Sequence, residues 1–437
     1  MKNGFSTHYY DPKPSRGDAE TLRPCREEIA QLASQRTGEY TSSLHSLRLP
    51  RDASMLAEVQ HLAKRANTSQ LKYAIIIGIG GSNLGAKAIY DALRGTFDLL
   101  EHKRPKLLFL DTISGEALAS ITEIIERDVQ YQEEIAINLI SKSGATTESV
   151  VNFELLYEVL EARFPDIHER IVVTTDHGSP LWNVSEQKKF GLLPIPKAVG
   201  GRYSVFSPVG LFPLMLAGID VRELCEGAAD ALDNAASLDT GNNAVRNAET
   251  LYSAMDRGHS ILNIFHFNPA LESLGKWERQ LIAESLGKER DNKGKVVHTG
   301  ITPIVSIGST DLHSMAQLYI GGPRDKYTMF VHAKESYPRR VPKQPETGKL
   351  VAGIGGKSPS DIMDAILKGV MGAYEKHELP YCDVHLASIT PYTLGAYMEW
   401  RMATTIYLAK LMHVDPFDQP NVEDYKKVTR SILENSN

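Results

Sequence analysis

The sequence predicts an α/β protein made of two similar units, each built on a mainly parallel sheet with helices on both faces. Three observations carry this reading. Apolar runs of strand length alternate with helical patterns, as in parallel sheets whose crossovers are helices. The rhythm runs through twice, with a break near residue 200. Glycine- or hydroxyl-rich turns stand where several of the strands give way to helices.

The elements follow in order. Residues 1–70 are mostly polar, carry helical patterns at 26–33 and 53–66, and read as an N-terminal helical arm. The first unit, 71–200, has strand candidates at 73–79, 106–110, 135–140 and 171–175, separated by helical patterns at 84–93, 115–127 and 148–163. The second unit, 201–437, has strand candidates at 260–265, 301–307, 327–332 and 381–386. Helical patterns at 270–286, 312–319, 359–376 and 393–412 accompany them, and a final helix starts at Pro420-Asn421. The turn at 77–86 (strand, glycines, Ser82, helix) is echoed at 304–314 by a strand, Gly308-Ser309 and a helix.

Composition narrows the classes of function. With 437 residues, 42% of them hydrophobic, the chain has ample material for two or three cores. A net charge of -6 argues against a general affinity for nucleic acid or an acidic membrane, though a local phosphate site needs only a few aligned N–H groups. Cys25, Cys225 and Cys382 lie too far apart in sequence for a disulfide framework or a cysteine zinc site, and suit a reducing cytosol. The longest apolar stretch, 205–219, is broken by Pro208 and Pro213 and falls short of the roughly 20 residues a membrane span needs. Residues 1–11 are polar, without the apolar centre of a secretory signal. The expectation is a soluble cytoplasmic protein.

Six stretches carry chemistry. Gly78-Ile79-Gly80-Gly81-Ser82-Asn83-Leu84-Gly85 joins a strand to a helix and departs from both the dinucleotide fingerprint and the Walker A loop. Such a turn either brings backbone N–H groups to an anion or simply packs tightly. Ser141-Lys142-Ser143-Gly144-Ala145-Thr146-Thr147-Glu148 follows a strand and precedes a helix. A helix cap needs one hydroxyl and this loop has four, so it reads as a phosphate cradle as readily as a cap. Val199-Gly200-Gly201-Arg202-Tyr203-Ser204 can aim Arg202 into a cleft or leave it in a surface ion pair. In the helix at 270–286, Leu271, Leu274, Trp277 and Leu281 form the buried stripe, and Gln280 and Glu284 are neighbours on its flank. Glu284 there is either a partly desolvated general base or a solvated glutamate. His313, expected in the first turn of a helix capped at Thr310, would be held neutral by the helix end, as a proton shuttle requires; it is equally a capping or packed histidine. The stretch from Phe417 to Lys426 opens the last helix, with Lys426 beside Tyr425, and reads on composition alone as a charged terminal helix.

In this combination and order, over roughly residues 73–430, these stretches resemble the glucose-6-phosphate isomerase (phosphoglucose isomerase) family, in its shorter bacterial form. The resemblance implies two sugar-isomerase (SIS) domains, each an α/β/α sandwich, and reversible aldose–ketose isomerisation of glucose 6-phosphate and fructose 6-phosphate through a cis-enediolate. It implies substrate binding by Gly81, Ser82, Ser141, Lys142, Ser143, Thr146, Glu148, Gln280 and Gln419, with the hydroxyls on the phosphate. Glu284 would move the proton between C2 and C1, Arg202 would stabilise the enediolate, and His313 and Lys426 would assist ring opening. No metal or organic cofactor is implied, nor any nucleic-acid or membrane partner. The implied assembly is a homodimer with shared active sites, His313 completing the neighbouring one.

Two positions depart from the family pattern. Lys197 stands where an acidic or small residue is usual. Asn421 stands where glycine is usual, and Asn is the next residue to tolerate a left-handed turn. Two other readings compete: a phosphosugar isomerase that also accepts mannose 6-phosphate, and a non-catalytic phosphosugar sensor. The sensor would need the phosphate loops without the set Glu284, Arg202, His313 and Lys426, and would carry a basic DNA-binding segment, which the N-terminal arm is not.

Overall fold

A computed structural model of the chain describes residues 4–13, 19–35, 37–101, 103, 105–239, 241–334, 338–347 and 350–435. Its frame is two five-stranded sheets. In the first, β2 (Tyr73–Ile77), β3 (Lys106–Leu110), β4 (Ile135–Ile140), β5 (Ile171–Asp176) and β6 (Gly191–Ile195) lie in the order β3-β2-β4-β5-β6, all parallel. In the second, β1 (Phe5–Tyr10), β7 (Ile261–His266), β10 (Thr302–Ile307), β11 (Lys326–Ala333) and β12 (Tyr381–Leu386) lie in the order β1-β12-β11-β7-β10. Only β1 is antiparallel there. A small antiparallel ribbon, β8 (Lys288–Arg290) with β9 (Val296–Thr299), follows the helix Glu272–Leu286.

Alternation along β2 shows why the sheet must be covered twice. Tyr73, Ile75 and Ile77 join one hydrophobic cluster, and Ala74 and Ile76 join another across the sheet. The second cluster is shared. It also takes Cys382, Val384 and Leu386 of β12, so one core runs between the two sheets. A third cluster, with Phe265, Phe330 and Tyr381, fills the far face of the second sheet. In the shared core the helix Leu84–Arg94 packs on the helix Glu272–Leu286, setting the glycine turn against the helix of Glu284.

The N-terminal stretch expected to be a helical arm opens instead with a strand. Phe-Ser-Thr-His-Tyr-Tyr looks polar, but it alternates, buries Phe5, and pairs from Phe5 opposite Leu386 to Tyr10 opposite Tyr381. The helices Ala19–Ser34 and Ala53–Ala66 follow, and Leu22, Ile29 and Val59 lie wholly within the shared core. The strand β6 also went unread, because Pro194 breaks the pattern; an edge strand is where a sheet tolerates a proline.

The helix that carries Glu284 is anchored from behind. Glu278, Tyr397, Arg401 and Asn247 are all fully buried. Glu278 accepts from Arg401 Nε at 2.8 Å and from the Tyr397 hydroxyl at 2.6 Å, while Arg401 reaches Asn247 Oδ1 at 2.5 Å. Removing one partner would strand a buried charge, so this network fixes how three helices sit together.

Candidate active site

Three chain segments meet at the end of β2. The turn after the strand holds Gly80 at φ +58. A Cβ on Gly81 would lie 2.1 Å from the carbonyl carbon of Gly201, so the two glycine turns touch backbone to backbone. A Cβ on Gly80 would meet Gln280 Nε2 at 2.9 Å, so Gln280 overhangs the turn from the helix Glu272–Leu286. The Ser204 hydroxyl reaches the carbonyls of Gly201 at 2.7 Å and Gly81 at 3.3 Å. Ser82 closes the short 3₁₀ turn Gly80–Ser82 and keeps part of its surface open.

The hydroxyl loop stands at the end of the neighbouring strand, β4. Its Ser141 shares a 2.9 Å hydrogen bond with Thr146 across the loop, and the Ser141 carbonyl accepts from Thr175 Oγ1 at 2.6 Å. Thr146 occupies the N-cap position of the helix Thr147–Arg163 yet makes no side-chain cap bond. Thr146 therefore does not cap the helix: its hydroxyl faces that of Ser141, and Ser143 Oγ accepts from Ala145 N at 3.4 Å within the loop, so the first-turn N–H groups keep their capacity for an anion. Ser143 is exposed, and Glu148 sits in the first turn. Lys142 turns its ammonium to the carbonyl of Lys197 at 2.7 Å. It lines, with Ser143 and Asp176, a cavity of about 740 Å³ that the glycine turn does not border. Burial lowers the Lys142 ammonium from its ordinary value, against the opposing pull of Asp176.

Arg202 is the hub. Its guanidinium donates through Nε to Ser285 Oγ at 2.8 Å and through Nη1 to Glu284 Oε2 at 3.2 Å and to Gln419 Oε1. Through Nη2 it donates to the carbonyls of Pro416 at 2.6 Å and Asp418 at 3.2 Å. Ser285 shares a further 3.0 Å bond with the Tyr203 hydroxyl. Burial raises the Tyr203 phenol, so it stays protonated. The surface ion pair left open for Arg202 is not what forms: its side chain is 2% exposed, while that of Glu284 is 34% exposed. Gln280 Nε2 holds the other carboxylate oxygen of Glu284 at 3.1 Å, and Gln280 Oε1 is buried without a partner.

The arrangement brings together Gly81, Gln280, Glu284, Arg202 and Gln419, with Ser82 beside them and the hydroxyl loop on the adjacent strand. Two candidates stand apart. His313 is exposed and has no bond to any of these groups. The helix expected around it at 312–319 is broken into Thr310–Ser314 and Ala316–Gly321, with Ser309 as N-cap. His313 is thus the fourth residue of a five-residue helix that Ser314 closes, not part of a longer one. Lys426 pairs with Glu423 at 2.7 Å on the helix Glu423–Glu434. Asn421 needs no left-handed tolerance: it lies in the 3₁₀ turn Pro420–Val422, outside the positive-φ residues, and its amide reaches Glu289 at 3.0 Å.

Sequence reasoning passed over Tyr203, Ser285, Lys288 and Asp418. Lys288 follows Glu284 by four residues, a helix-neighbour spacing that was the one available signal. Among the described residues no group of three His, Cys, Asp or Glu side chains converges as metal ligands would, and no helix is long and apolar enough to cross a membrane.

Over residues 60–437 the chain matches the phosphoglucose isomerase family. It is 31% identical to the glucose-6-phosphate isomerase of Carboxydothermus hydrogenoformans over 437 residues, covering 98% of this chain and 92% of that protein. It is also 31% identical to the glucose-6-phosphate isomerase of Clostridium novyi, over 99% of this chain and 96% of that one. Among solved structures, a hypothetical protein from Thermus thermophilus superposes with a TM-score of 0.82 at 30% identity, covering 95% of this chain and 96% of that one. The glucose-6-phosphate isomerase of Chlamydia trachomatis shares the fold at a TM-score of 0.80 and 19% identity, over 99% of this chain and 89% of that one.

Proposed function

The chain belongs to the phosphoglucose isomerase family, and from that premise we propose how its residues divide the work. It is an isomerase that interconverts glucose 6-phosphate and fructose 6-phosphate, on two SIS-type units.

The roles begin with the phosphate, which does not react. Ser82, Ser141, Ser143 and Thr146 hold it at the ends of β2 and β4, with Gly81, Lys142 and Glu148 forming the rest of the two loops. Its binding energy places C1 and C2 against one carboxylate. Glu284 takes the proton from one carbon and returns it to the other. One base can serve both only if the intermediate is a cis-enediolate. A proton beside a carbonyl is far too weakly acidic for a free carboxylate to remove quickly, so the developing oxyanion must be stabilised. Arg202, buried and fixed by five acceptors, supplies that charge. Gln280 and Gln419 bind sugar hydroxyls beside the carboxylate.

The observation that carries this reading is the setting of Glu284. Gln280 and Arg202 hold one carboxylate oxygen each, and a third of the side chain stays exposed. His313 and Lys426 assist ring opening. His313 is exposed and makes no hydrogen bond to Glu284 or Arg202, which suits a role in the site of a second copy, in a homodimer with shared active sites. The protein works in the cytoplasm without metal or organic cofactor; its three free, buried cysteines suit that compartment.

A coupled assay tests the reading directly. Fructose 6-phosphate is supplied with EDTA present, and glucose 6-phosphate is detected through a dehydrogenase. Sustained turnover is the expected result. No turnover at any substrate concentration, or full loss to EDTA restored by Zn²⁺ or Mg²⁺, contradicts it.

A further inference from the structure

Helix carbonyls in the last turn have no partner inside the helix. At the end of the helix Glu272–Leu286 one of them, the carbonyl of Glu284, is taken by Lys288 Nζ at 3.0 Å. The same ammonium donates to the carbonyl of Asp418 at 2.5 Å and to Asp418 Oδ1 at 2.8 Å. A lysine has three N–H bonds, and here each has an acceptor. The Lys288 side chain is 5% exposed, so this is a buried, fully used cation and not a surface pair.

What the ammonium joins gives it meaning. One end is the backbone of Glu284. The other is the residue next to Gln419, whose carbonyl also accepts from Arg202 Nη2. The Asp418 carbonyl therefore sits between two cations, and the segment 416–419 is gripped by Arg202 on one side and Lys288 on the other. The ribbon β8–β9 that begins at Lys288 adds two more ties, to residues on either side of this stretch. Asn292 N donates to the His413 carbonyl at 2.8 Å, and Asn421 Nδ2 reaches Glu289 Oε2 at 3.0 Å.

We infer that Lys288 is a positioning residue for the isomerisation: it ties the backbone of Glu284 to Asp418, and so fixes the Arg202 guanidinium and Gln419 relative to the carboxylate. It touches no substrate itself. Arg202 has three of its five acceptors, Pro416, Asp418 and Gln419, on the tied segment. If that segment drifts, the guanidinium charge shifts from its place beside Glu284, while the phosphate loops on the first sheet are untouched. The effect falls chiefly on the step, since capture keeps the phosphate loops and loses at most the Gln419 contact. The inference rests on the roles given above to Glu284 and Arg202.

The test uses the full-length protein and compares Lys288→Met, Lys288→Arg and Asp418→Ala with the unaltered chain. Lys288→Met should lower kcat about 10–100-fold, the scale of lost hydrogen bonds to a charged group, with KM and inhibition by inorganic phosphate within about threefold. Binding of 5-phosphoarabinonate, a sugar acid whose carboxylate copies the enediolate, should weaken in step with kcat. Lys288→Arg should recover part of the rate. Asp418→Ala removes only a half-exposed carboxylate, folds whether or not Lys288→Met does, and should lower kcat about 3–10-fold. In the double variant the two losses should not multiply. A kcat within twofold of the unaltered protein in Asp418→Ala and in any folded Lys288→Met overturns the inference. So does an equal weakening of inorganic phosphate and the aldonate, which marks general loosening. An unaltered protein with no isomerase activity would instead overturn the reading of the site.

Discussion

Arg202 Nη1 stands 3.2 Å from Oε2 of Glu284, joining a side chain that is 2% exposed to one that is 34% exposed. The cation is locked and the carboxylate is open on one side. A group that must meet charge as it develops should not have to reorganise, and a group that must move a proton needs access. The ion pair satisfies both needs with one contact.

Arg202→Lys should therefore be costly. Lysine keeps the charge but has no planar fork to reach Ser285, Glu284, Gln419 and two carbonyls together. A kcat loss of about 10²–10³-fold is expected, the scale of one oxyanion donor removed, with KM changed only a few-fold. Steady-state kinetics in both directions check this.

Ser143→Ala and Thr146→Ala should act on binding. Each removes a hydrogen bond to a charged group, worth about 1.5–3 kcal/mol, which is roughly 10–100-fold in KM. Inhibition by inorganic phosphate should weaken in parallel, as titration of the initial rate will show. Thr146 makes no cap bond, so the helix Thr147–Arg163 should melt normally in Thr146→Ala.

Gly81→Ala and Gly200→Ala form a controlled pair. The first places a Cβ 2.1 Å from the carbonyl carbon of Gly201, and the second meets nothing within 4 Å. Gly81→Ala must push the two turns apart and should lose at least about 100-fold in kcat/KM, as displacement of reacting groups by an ångström does. Gly200→Ala should stay near the unaltered rate. Parallel assays and melting curves separate the two.

Glu399 makes a pH prediction. It is fully buried on the helix Pro391–Leu411, and neither carboxylate oxygen has a hydrogen-bond partner. Burial raises its pKa well above the ordinary value of 4.5, and attraction to Arg51 offsets only part of this. The folded state then holds a proton that the unfolded state releases, so its effect is a stability that declines as pH rises from about 4.5 toward the folded value. Glu399→Gln removes the titration. It should raise Tm by on the order of a few degrees at pH 8.5 and by much less at pH 5, read by calorimetry at both.

How much could be read beforehand depended on distance along the chain. The strands β3, β4 and β12 lie at the residues expected from their apolar runs, because burial on two faces writes itself into consecutive residues. Strand β1 did not, because its pairing partner is more than 370 residues away and only Phe5 of its six residues is buried. The site divides the same way. Gly81, Ser141 and Thr146 belong to compact turns whose chemistry is local. The hold of Lys288 on Asp418 spans 130 residues, and that of Arg202 on Gln419 spans 217, so neither leaves a spacing to find. Around His313 the helix expected at 312–319 is split at Met315 into two short ones, a break that no residue type in the stretch announces.

The central claim is that Glu284 alone moves the proton between C2 and C1, and Glu284→Gln tests it most directly. The change keeps the side chain's shape and its bond from Arg202 while removing the basic oxygen. Exchange of the C2 proton of glucose 6-phosphate with deuterated water, followed by NMR, is the measurement. Exchange should fall by more than the usual roughly 10²–10⁴ of general-base catalysis, with phosphosugar affinity held within a few-fold. Exchange near the unaltered rate would place the base on another residue and contradict the account.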